Sequence, residues 1–175
     1  MRPYLDTLDE FVRIGKIVRP HGVHGEVKVL SLSSATRLFK AGYSVVIADE
    51  KEEKAFTVVI KSVRPVPRGF LLKIEGIETP ELARKVSGMY IYVKKDELPK
   101  LSEGEFYYYQ LIGGTVVDER GEVGKVEDIV ETGAVDVLVV RTLKGEEKLI
   151  PLAREFIEEL DLEKGIIRVV GEKIR

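Results

Sequence analysis

The sequence predicts an all-β protein built as two small β-barrels in tandem, with one short helix in the first lobe. Short segments rich in Val, Ile and aromatic residues recur along the chain, separated by Gly, Pro or charged turns. This is the pattern of strands in small barrels. A polar, charged stretch interrupts it near residue 100. A chain of 175 residues is also long enough for two small domains.

Six strands and one helix are predicted for the first lobe, which spans residues 8–94. Thr79 is placed to cap a helix that starts at Pro80 and ends before Gly88. Thr favours the N-cap, Pro favours the first helical position, and Gly favours the position just past a helix end. The strands are predicted at residues 11–18, 26–30, 43–47, 55–63, 70–74 and 89–93.

Residues 95–104 are predicted to link the two lobes, because this stretch is charged and is punctuated by Pro99 and Gly104. The second lobe, residues 105–172, repeats the β pattern. Its strands are predicted at residues 115–117, 123–129, 135–141, 148–150 and 166–170.

The composition excludes several classes of protein. The chain has no Cys, which excludes disulfide frameworks, thiol nucleophiles, iron–sulfur clusters and cysteine-based zinc sites. Its first ten residues include three acids and no apolar core, and no uncharged apolar run approaches the ~20 residues of a membrane span. We therefore expect a cytoplasmic protein that does not engage a membrane.

The net charge of −2 hides a difference between the halves: residues 1–100 carry 18 basic and 13 acidic side chains, whereas residues 101–175 carry 10 and 17. Within the basic half, residues 11–40 contain a single acid, Glu26, and residues 61–73 contain none. Clustered Lys and Arg are expected where phosphate backbones bind. Lysines on solvated strand edges would give the same composition. The first lobe is therefore a candidate nucleic-acid-binding surface.

The segment from Arg19 to Gly25 is predicted to be a loop between two strands. Gly22 and Gly25 permit positive φ, so the loop presents Arg19 together with the two histidines, His21 and His24. Such a loop can approach a sugar–phosphate backbone closely. A tight turn whose glycines only satisfy geometry explains the spacing equally well. The candidate nucleic-acid-facing residues are Arg13, Lys16, Arg19, His21, Gly22, Gly25, Lys28, Arg64 and Arg68.

No catalytic residue, metal site or cofactor is predicted. His21 and His24 could touch one metal, but no Cys and no nearby acid cluster completes a coordination shell. The chain has no G-x-S-x-G motif, and residues 121–125 lack the spacing of a phosphate-binding loop.

Four consecutive aromatic residues, Phe106 to Tyr109, follow the linker. On a strand these side chains would alternate between faces, so at least one pair is expected to face away from the barrel core. Such residues often anchor protein interfaces. Packing between the two lobes would use the same surface, and the sequence leaves both interpretations open.

Several motifs resemble those of one family. Residues 13–29 are similar to the N-terminal signature of the RimM family of bacterial ribosome maturation factors. Residues 106–114, 124–126, 136–140 and 149–152 resemble the second domain of that family, in the same order. The resemblance implies a translation-factor-like six-stranded barrel followed by a PRC-barrel domain.

The resemblance also implies a non-enzymatic, cytoplasmic assembly factor, expected as a monomer without a cofactor. Such a factor would bind the immature small ribosomal subunit through its head-region ribosomal protein number nineteen and would also have the 16S rRNA of that subunit as a partner. It would promote 16S rRNA processing and head maturation. His24 stands where the family commonly has Lys or another polar residue, so no essential role is assigned to it. The family's aromatic motif and its neighbours give the candidate partner-binding residues Phe106, Tyr107, Tyr108, Tyr109, Leu111 and Gly113.

Two other functions are considered. A nuclease or RNA-modifying enzyme with a basic barrel would show turnover and would need a metal site that the sequence does not visibly supply. A pure protein scaffold would bind with little dependence on salt, whereas phosphate contacts weaken steeply as salt rises.

Overall fold

The chain folds into two compact units, Met1–Glu105 and Phe106–Arg175. In the computed structural model 52% of the residues lie in strands and 11% in helices, so the predicted all-β class is confirmed. Among the described residues, no helix has the length and apolar character needed to cross a membrane. The structure describes residues 1–33, 39–98, 100, 105–131 and 135–174.

The strands of the first unit form a closed barrel. In sheet order they run β1-β5-β4-β7-β2-β3-β6, and β5 also pairs with β6. This last pairing closes β2 to β7 into the expected six-stranded barrel, and β1 adds to β5. The strands are β1 (Arg2–Pro3), β2 (Phe11–His21), β3 (Glu26–Ser31), β4 (Ser44–Ala48), β5 (Ala55–Val66), β6 (Gly69–Ile74) and β7 (Tyr90–Lys94).

Closure depends on the long strand β5, which changes partner along its length. Its first part pairs with β4 and its second part with β6. Both β2 and β5 run three residues beyond their predicted ends, because each continues into a hairpin. Side chains alternate across the barrel wall: Val27 and Val29 of β3 are fully buried, whereas Glu26 and Lys28 are partly exposed. Cationic residues at the alternate positions therefore lie on the outer face.

The helix α1 (Pro80–Val86) packs against β2 and β3. The Thr79 side chain accepts a hydrogen bond from the backbone N–H of Leu82 at 3.2 Å, which confirms the predicted cap. Gly88 has a φ of +92°, a conformation that favours glycine.

A second apolar cluster covers part of the outer face of the barrel. Leu8 packs there with Val46, Ala48 and Tyr92. The partly buried hydrophobic side chains against this cluster are Tyr4, Phe11, Ala55 and Tyr90. The N-terminal residues, including the unpredicted strand β1, are thus part of the packed structure of the first unit.

The predicted linker contains a 3-10 turn at Lys95–Glu97. Pro99 and residues 101–104 lie outside the described residues.

The second unit is a curled half-barrel of six strands. The sheet order is β11-β10-β9-β8-β13-β12, with β8 and β13 parallel. Within the described residues the edge strands β11 and β12 do not pair with each other. The strand β12 and the two short helices were not predicted. The elements are α2 (Tyr108–Leu111), β8 (Thr115–Asp118), β9 (Gly121–Glu131), β10 (Asp136–Thr142), β11 (Glu147–Pro151), β12 (Ile157–Asp161), β13 (Ile166–Val169) and α3 (Gly171–Ile174).

Candidate nucleic-acid and protein interfaces

The barrel brings three of the predicted basic residues into one row across four strands. Arg19 of β2 pairs with Lys28 of β3, Lys28 pairs with Leu71 of β6, and Leu71 pairs with Arg64 of β5. Directly paired residues point to the same face of a sheet, so these three cations share the outer face. Arg19 and Arg64 are exposed and Lys28 is partly exposed. We call Arg19, Lys28 and Arg64 the basic row.

The positive charge of the basic row is partly balanced by Glu26. One guanidinium nitrogen of Arg64 lies 3.4 and 3.3 Å from the two carboxylate oxygens of Glu26. The Arg64 side chain remains 60% exposed, so its guanidinium is accessible to a ligand. Arg68 lies in the adjacent β5–β6 turn with a φ of +66°, and its carbonyl accepts from the backbone N–H of Ser31 at 3.1 Å.

The other two basic residues of β2 contact aromatic rings. Arg13 Nε donates to the Tyr92 hydroxyl at 2.7 Å, and Arg13 also donates to the Glu50 carbonyl at 2.8 Å. The guanidinium carbon of Arg13 lies 4.0 Å from the centre of the Tyr90 ring, and Lys16 Nζ lies 5.6 Å from the same centre. The structure therefore separates Arg13, whose guanidinium is bonded within the unit, from the basic row.

The predicted loop lies between β2 and β3 but is shorter than predicted, because Arg19, Pro20 and His21 belong to β2 and pair with β3. His21 pairs with Glu26 at the loop base, and both His21 and His24 are exposed. Gly22 has a φ of +69° and open space around it. Gly25 has a φ of +85°, and a Cβ there would lie 2.3 Å from the Ile77 carbonyl oxygen. Gly22 is thus needed for its conformation, whereas Gly25 is needed both for its conformation and for a close approach of two backbones.

Lys73 on β6 contacts this loop, and the sequence did not predict a role for it. Its side chain is 15% exposed, and Nζ lies 2.9 Å from Glu78 Oε2. The same ammonium donates to the carbonyls of His24 and of Ile77, the latter at 3.4 Å. The pKa of Glu78 is lowered, mainly by the hydrogen bond from Lys73. Lys73 ends the acid-free stretch, but nothing in that composition predicts that its ammonium is bonded to the backbone carbonyls of this chain.

The two histidines do not form part of a metal centre in the described part of the chain, where no group of three His, Cys, Asp or Glu side chains is placed to hold an ion.

The aromatic segment is not a strand, so that expectation was wrong. Tyr108 begins the short helix α2, and the backbone N–H of Tyr107 donates to Gln110 Oε1 at 2.7 Å. The rings stack two residues apart: Phe106 on Tyr108 with centroids 6.3 Å apart, and Tyr107 on Tyr109 at 5.9 Å. A local side-chain bond that closes the helix N-terminus therefore overrides the β propensity of the aromatic run.

The candidate partner-binding residues differ in exposure. Tyr107, Tyr108 and Leu111 are 3%, 5% and 1% exposed, so their side chains are not available at the surface. Gly113 is exposed with a φ of +82°, and its neighbour Ile112 is 45% exposed. Phe106 and Tyr109 are partly exposed. The surface near this segment is formed by Phe106, Tyr109, Ile112 and Gly113.

The surface of the second unit is rich in carboxylates. Arg141 is matched by Glu127, with Nε and one terminal nitrogen each 3.0 Å from a carboxylate oxygen. This bidentate hydrogen bond is the largest cause of the lowered pKa of Glu127. Burial raises the pKa of Asp136 to about 6. The exposed acids are Glu119, Glu122, Glu127, Asp128, Glu146, Glu147, Glu155, Glu158, Glu159, Glu163 and Glu172.

Comparison with known proteins assigns both units to one family. The family model for the RimM N-terminal domain matches residues 12–98, and that for the RimM PRC barrel domain matches residues 108–173. A crystal structure of a RimM protein from Pseudomonas aeruginosa, named for 16S ribosomal RNA processing, is 29% identical, covers 91% of this chain and 96% of its own, and superposes with a TM-score of 0.42.

Relatives in three organisms each cover more than nine-tenths of the chain. A protein of Thermotoga petrophila named ribosome maturation factor RimM is 40% identical over 175 residues, 99% of this chain and 98% of its own. The protein of that name from Kosmotoga olearia is 38% identical and covers 91% of this chain and 82% of its own. That of Shouchella clausii is also 38% identical, over 93% and 95%. With both units matched in order and these relatives aligned almost end to end, the chain belongs to the RimM family of ribosome maturation factors.

Proposed function

We propose that this protein binds the immature small ribosomal subunit through its head-region ribosomal protein number nineteen and through 16S rRNA. By doing so it promotes 16S rRNA processing and maturation of the head, in the cytoplasm, as a monomer and without catalysis. The observation that carries the proposal is the basic row, because it gives the first unit a cationic outer face that the sequence only suggested.

The basic row suits a nucleic-acid backbone for geometric reasons. Neighbouring strands lie about 4.8 Å apart, so cations on β2, β3 and β5 span a distance that can follow successive phosphates. The loop that follows β2 adjoins the Arg19 end of the row, and His21 at the end of that strand is exposed. Phosphate contacts of this kind position a protein on RNA without reading its sequence.

The second unit supplies the proposed protein contact. Ribosomal proteins that bind rRNA are basic, and the exposed acids of this unit would attract such a partner and select its orientation. Ile112, Gly113 and the partly exposed Phe106 and Tyr109 offer apolar surface on the same unit. Tyr107 and Tyr108 are buried, so their role in this proposal is to hold the segment in place.

Binding rRNA and protein together would favour the folded head by mass action. A factor that binds one conformation more tightly shifts the population toward it by the difference in binding free energy. No bond is made or broken in this role.

Co-sedimentation with immature and mature small subunits at low and moderate salt tests the proposal. We expect preferential binding to immature particles that weakens as salt rises, since each phosphate contact contributes roughly 0.9 to the slope of log K against log salt. The triple variant R19M/K28M/R64M should lose most of this binding. The control K51M/K54M/K85M removes the same charge at exposed positions outside the row and should retain it.

Three results would contradict the proposal. Equal binding to immature and mature particles, or to neither, would rule out an assembly factor. Equal loss in the two triple variants would show that charge acts without regard to position. Salt-independent binding, or cleavage of the rRNA during the incubation, would favour a protein scaffold or an RNA-cleaving enzyme, respectively.

A further inference from the structure

The ammonium group of Lys73 has each of its three N–H donors matched by an acceptor of this chain. The acceptors are the carbonyl of His24, the carbonyl of Ile77 and the carboxylate of Glu78. A lysine ammonium has three donors and no acceptor. A phosphate would therefore have to displace one of these partners, and the side chain is only 15% exposed.

These three acceptors belong to different parts of the first unit. His24 lies in the loop between β2 and β3, Ile77 lies in the turn after β6, and Glu78 directly precedes the cap of α1. Lys73 itself is on β6. One side chain thus ties the exposed loop to the end of a barrel strand and to the start of the helix.

Gly25 makes this arrangement sterically possible. Its missing Cβ allows the loop backbone to approach the Ile77 carbonyl, which a Cβ would meet at 2.3 Å. The carbonyls of His24 and Ile77 are thereby close enough to share one ammonium. Removing that ammonium would take a hydrogen-bond donor away from both carbonyls.

Two cations of the acid-free stretch, residues 61–73, therefore have different roles. Arg64 is 60% exposed on the outer face, in line with Lys28 and Arg19. Lys73 is turned toward the backbone and is neutralised by Glu78. Composition alone counts both as equivalent positive charges.

We propose that Lys73, held by Glu78, is a positioning residue for rRNA binding, which fixes the shape of the loop between β2 and β3, next to Arg19 and His21 at the end of β2, and makes no phosphate contact itself. This inference rests on the proposed binding of rRNA by the first unit. A loop ordered before binding avoids the loss of entropy that a mobile loop suffers on binding.

The test uses the charge-conserving double variant K73M/E78Q, which removes the contacts and leaves the net charge of the protein unchanged. The binding of the full chain to a full-length 16S rRNA transcript is measured over a series of salt concentrations. We expect about tenfold weaker binding, as for a loop that must be ordered on binding, with the same salt slope as the unsubstituted protein. The control K28M should lose affinity and lower the slope by about 1.

The single variant E78Q gives a result of opposite sign for the two possible roles of Lys73. If Lys73 positions the loop, E78Q should bind rRNA no more tightly, because one of the three acceptors is weakened. If Lys73 contacts phosphate, its release from Glu78 should strengthen binding and steepen the slope. E78Q also retains the ammonium and both carbonyl contacts, so it serves if K73M/E78Q fails to fold, as judged by circular dichroism.

Hydrogen exchange of the amides of residues 22–25 gives a readout that does not depend on RNA, and it should be faster in K73M/E78Q. Unchanged exchange together with unchanged affinity would overturn the inference, as would tighter binding by E78Q with a steeper salt slope. Failure of the unsubstituted protein to bind the transcript at any salt would instead overturn the proposed function, and with it the RNA part of the inference. In that case the exchange rates would still decide whether Lys73 orders the loop.

Discussion

The Nε of Arg13 donates a hydrogen bond to the hydroxyl of Tyr92 at 2.7 Å across the paired strands β2 and β7. That hydroxyl in turn donates to Glu52 Oε1 at 3.0 Å. Tyr92 is 2% exposed, and its burial is the largest cause that raises its pKa, to about 12. The bonded guanidinium of Arg13 therefore stabilises the barrel wall, and contact with RNA remains a separate prediction for this residue.

The substitution Y92F should lower the free energy of unfolding by about 1–2 kcal/mol, because it removes the partner of a charged donor at a partly buried site. Urea denaturation measures the change. The control Y43F alters a tyrosine that is 45% exposed and should change stability by less than about 0.5 kcal/mol. Equal stability of the two variants would contradict a structural role for the Arg13–Tyr92 pair.

Two glycines of one loop should respond differently to alanine. G22A should lower the free energy of unfolding by about 1 kcal/mol, because alanine is unfavourable there only through its left-handed backbone conformation. G25A should lower the free energy of unfolding by more, about 2–4 kcal/mol, since its Cβ would also clash with the Ile77 carbonyl oxygen. Thermal unfolding compares the two variants. A G25A variant as stable as G22A would mean that the backbones can move apart without penalty.

Asp136 should make stability depend on pH. Its pKa is raised from 3.8 to about 6 by burial, so the unfolded chain releases this proton at lower pH than the folded chain. This group therefore lowers stability progressively as pH rises from about 4 to 6, and by a constant amount above that. D136N should therefore raise the free energy of unfolding at pH 7 by about 1–2 kcal/mol more than it does at pH 4. This figure allows for the partial exposure of Asp136.

The control for Asp136 is E122Q, which removes the same charge at an exposed position on β9. Denaturant unfolding at both pH values gives the comparison. A pH-independent effect of D136N, or the same gain in E122Q, would show that burial of Asp136 does not control this behaviour.

The aromatic segment should separate stability from partner binding. Y108A should lower stability by about 3–5 kcal/mol, as expected for truncating a buried aromatic side chain. I112A should leave stability nearly unchanged and should weaken binding of purified ribosomal protein number nineteen by about tenfold. L143A truncates another exposed apolar residue, 68% exposed in the β10–β11 turn, and should bind normally. Normal binding by I112A would place the partner contact elsewhere.

Local signals predicted much of the fold. Thr79, Pro80 and Gly88 act within one helix, so the sequence was sufficient to place α1. The alternation of charged and apolar residues in β3 similarly predicted which face of the strand is exposed to solvent. The strand β12 was missed because three of its five residues are acidic, and it is positioned by pairing with β13 rather than by its own propensity.

Long-range relationships could not be predicted in this way. Lys73 meets the carbonyl of a residue 49 positions earlier, and Arg64 joins Lys28 in one row only because the barrel closes. The aromatic segment was misassigned since a single Gln110 side chain decides its conformation. Charge composition therefore showed that the first half of the chain is basic, but the pairing register of the strands was needed to show which cations share a face.

The apolar cluster around Leu8 has a practical consequence for work with the isolated first unit. A recombinant fragment that begins at residue 12 would lose Tyr4 and Leu8, and would present Tyr92 and Val46 to solvent. Exposed apolar surface of this kind promotes self-association, so precipitation of such a fragment would reflect a misplaced cut and not an inability of the barrel to fold. A fragment that begins at Met1 retains this cover.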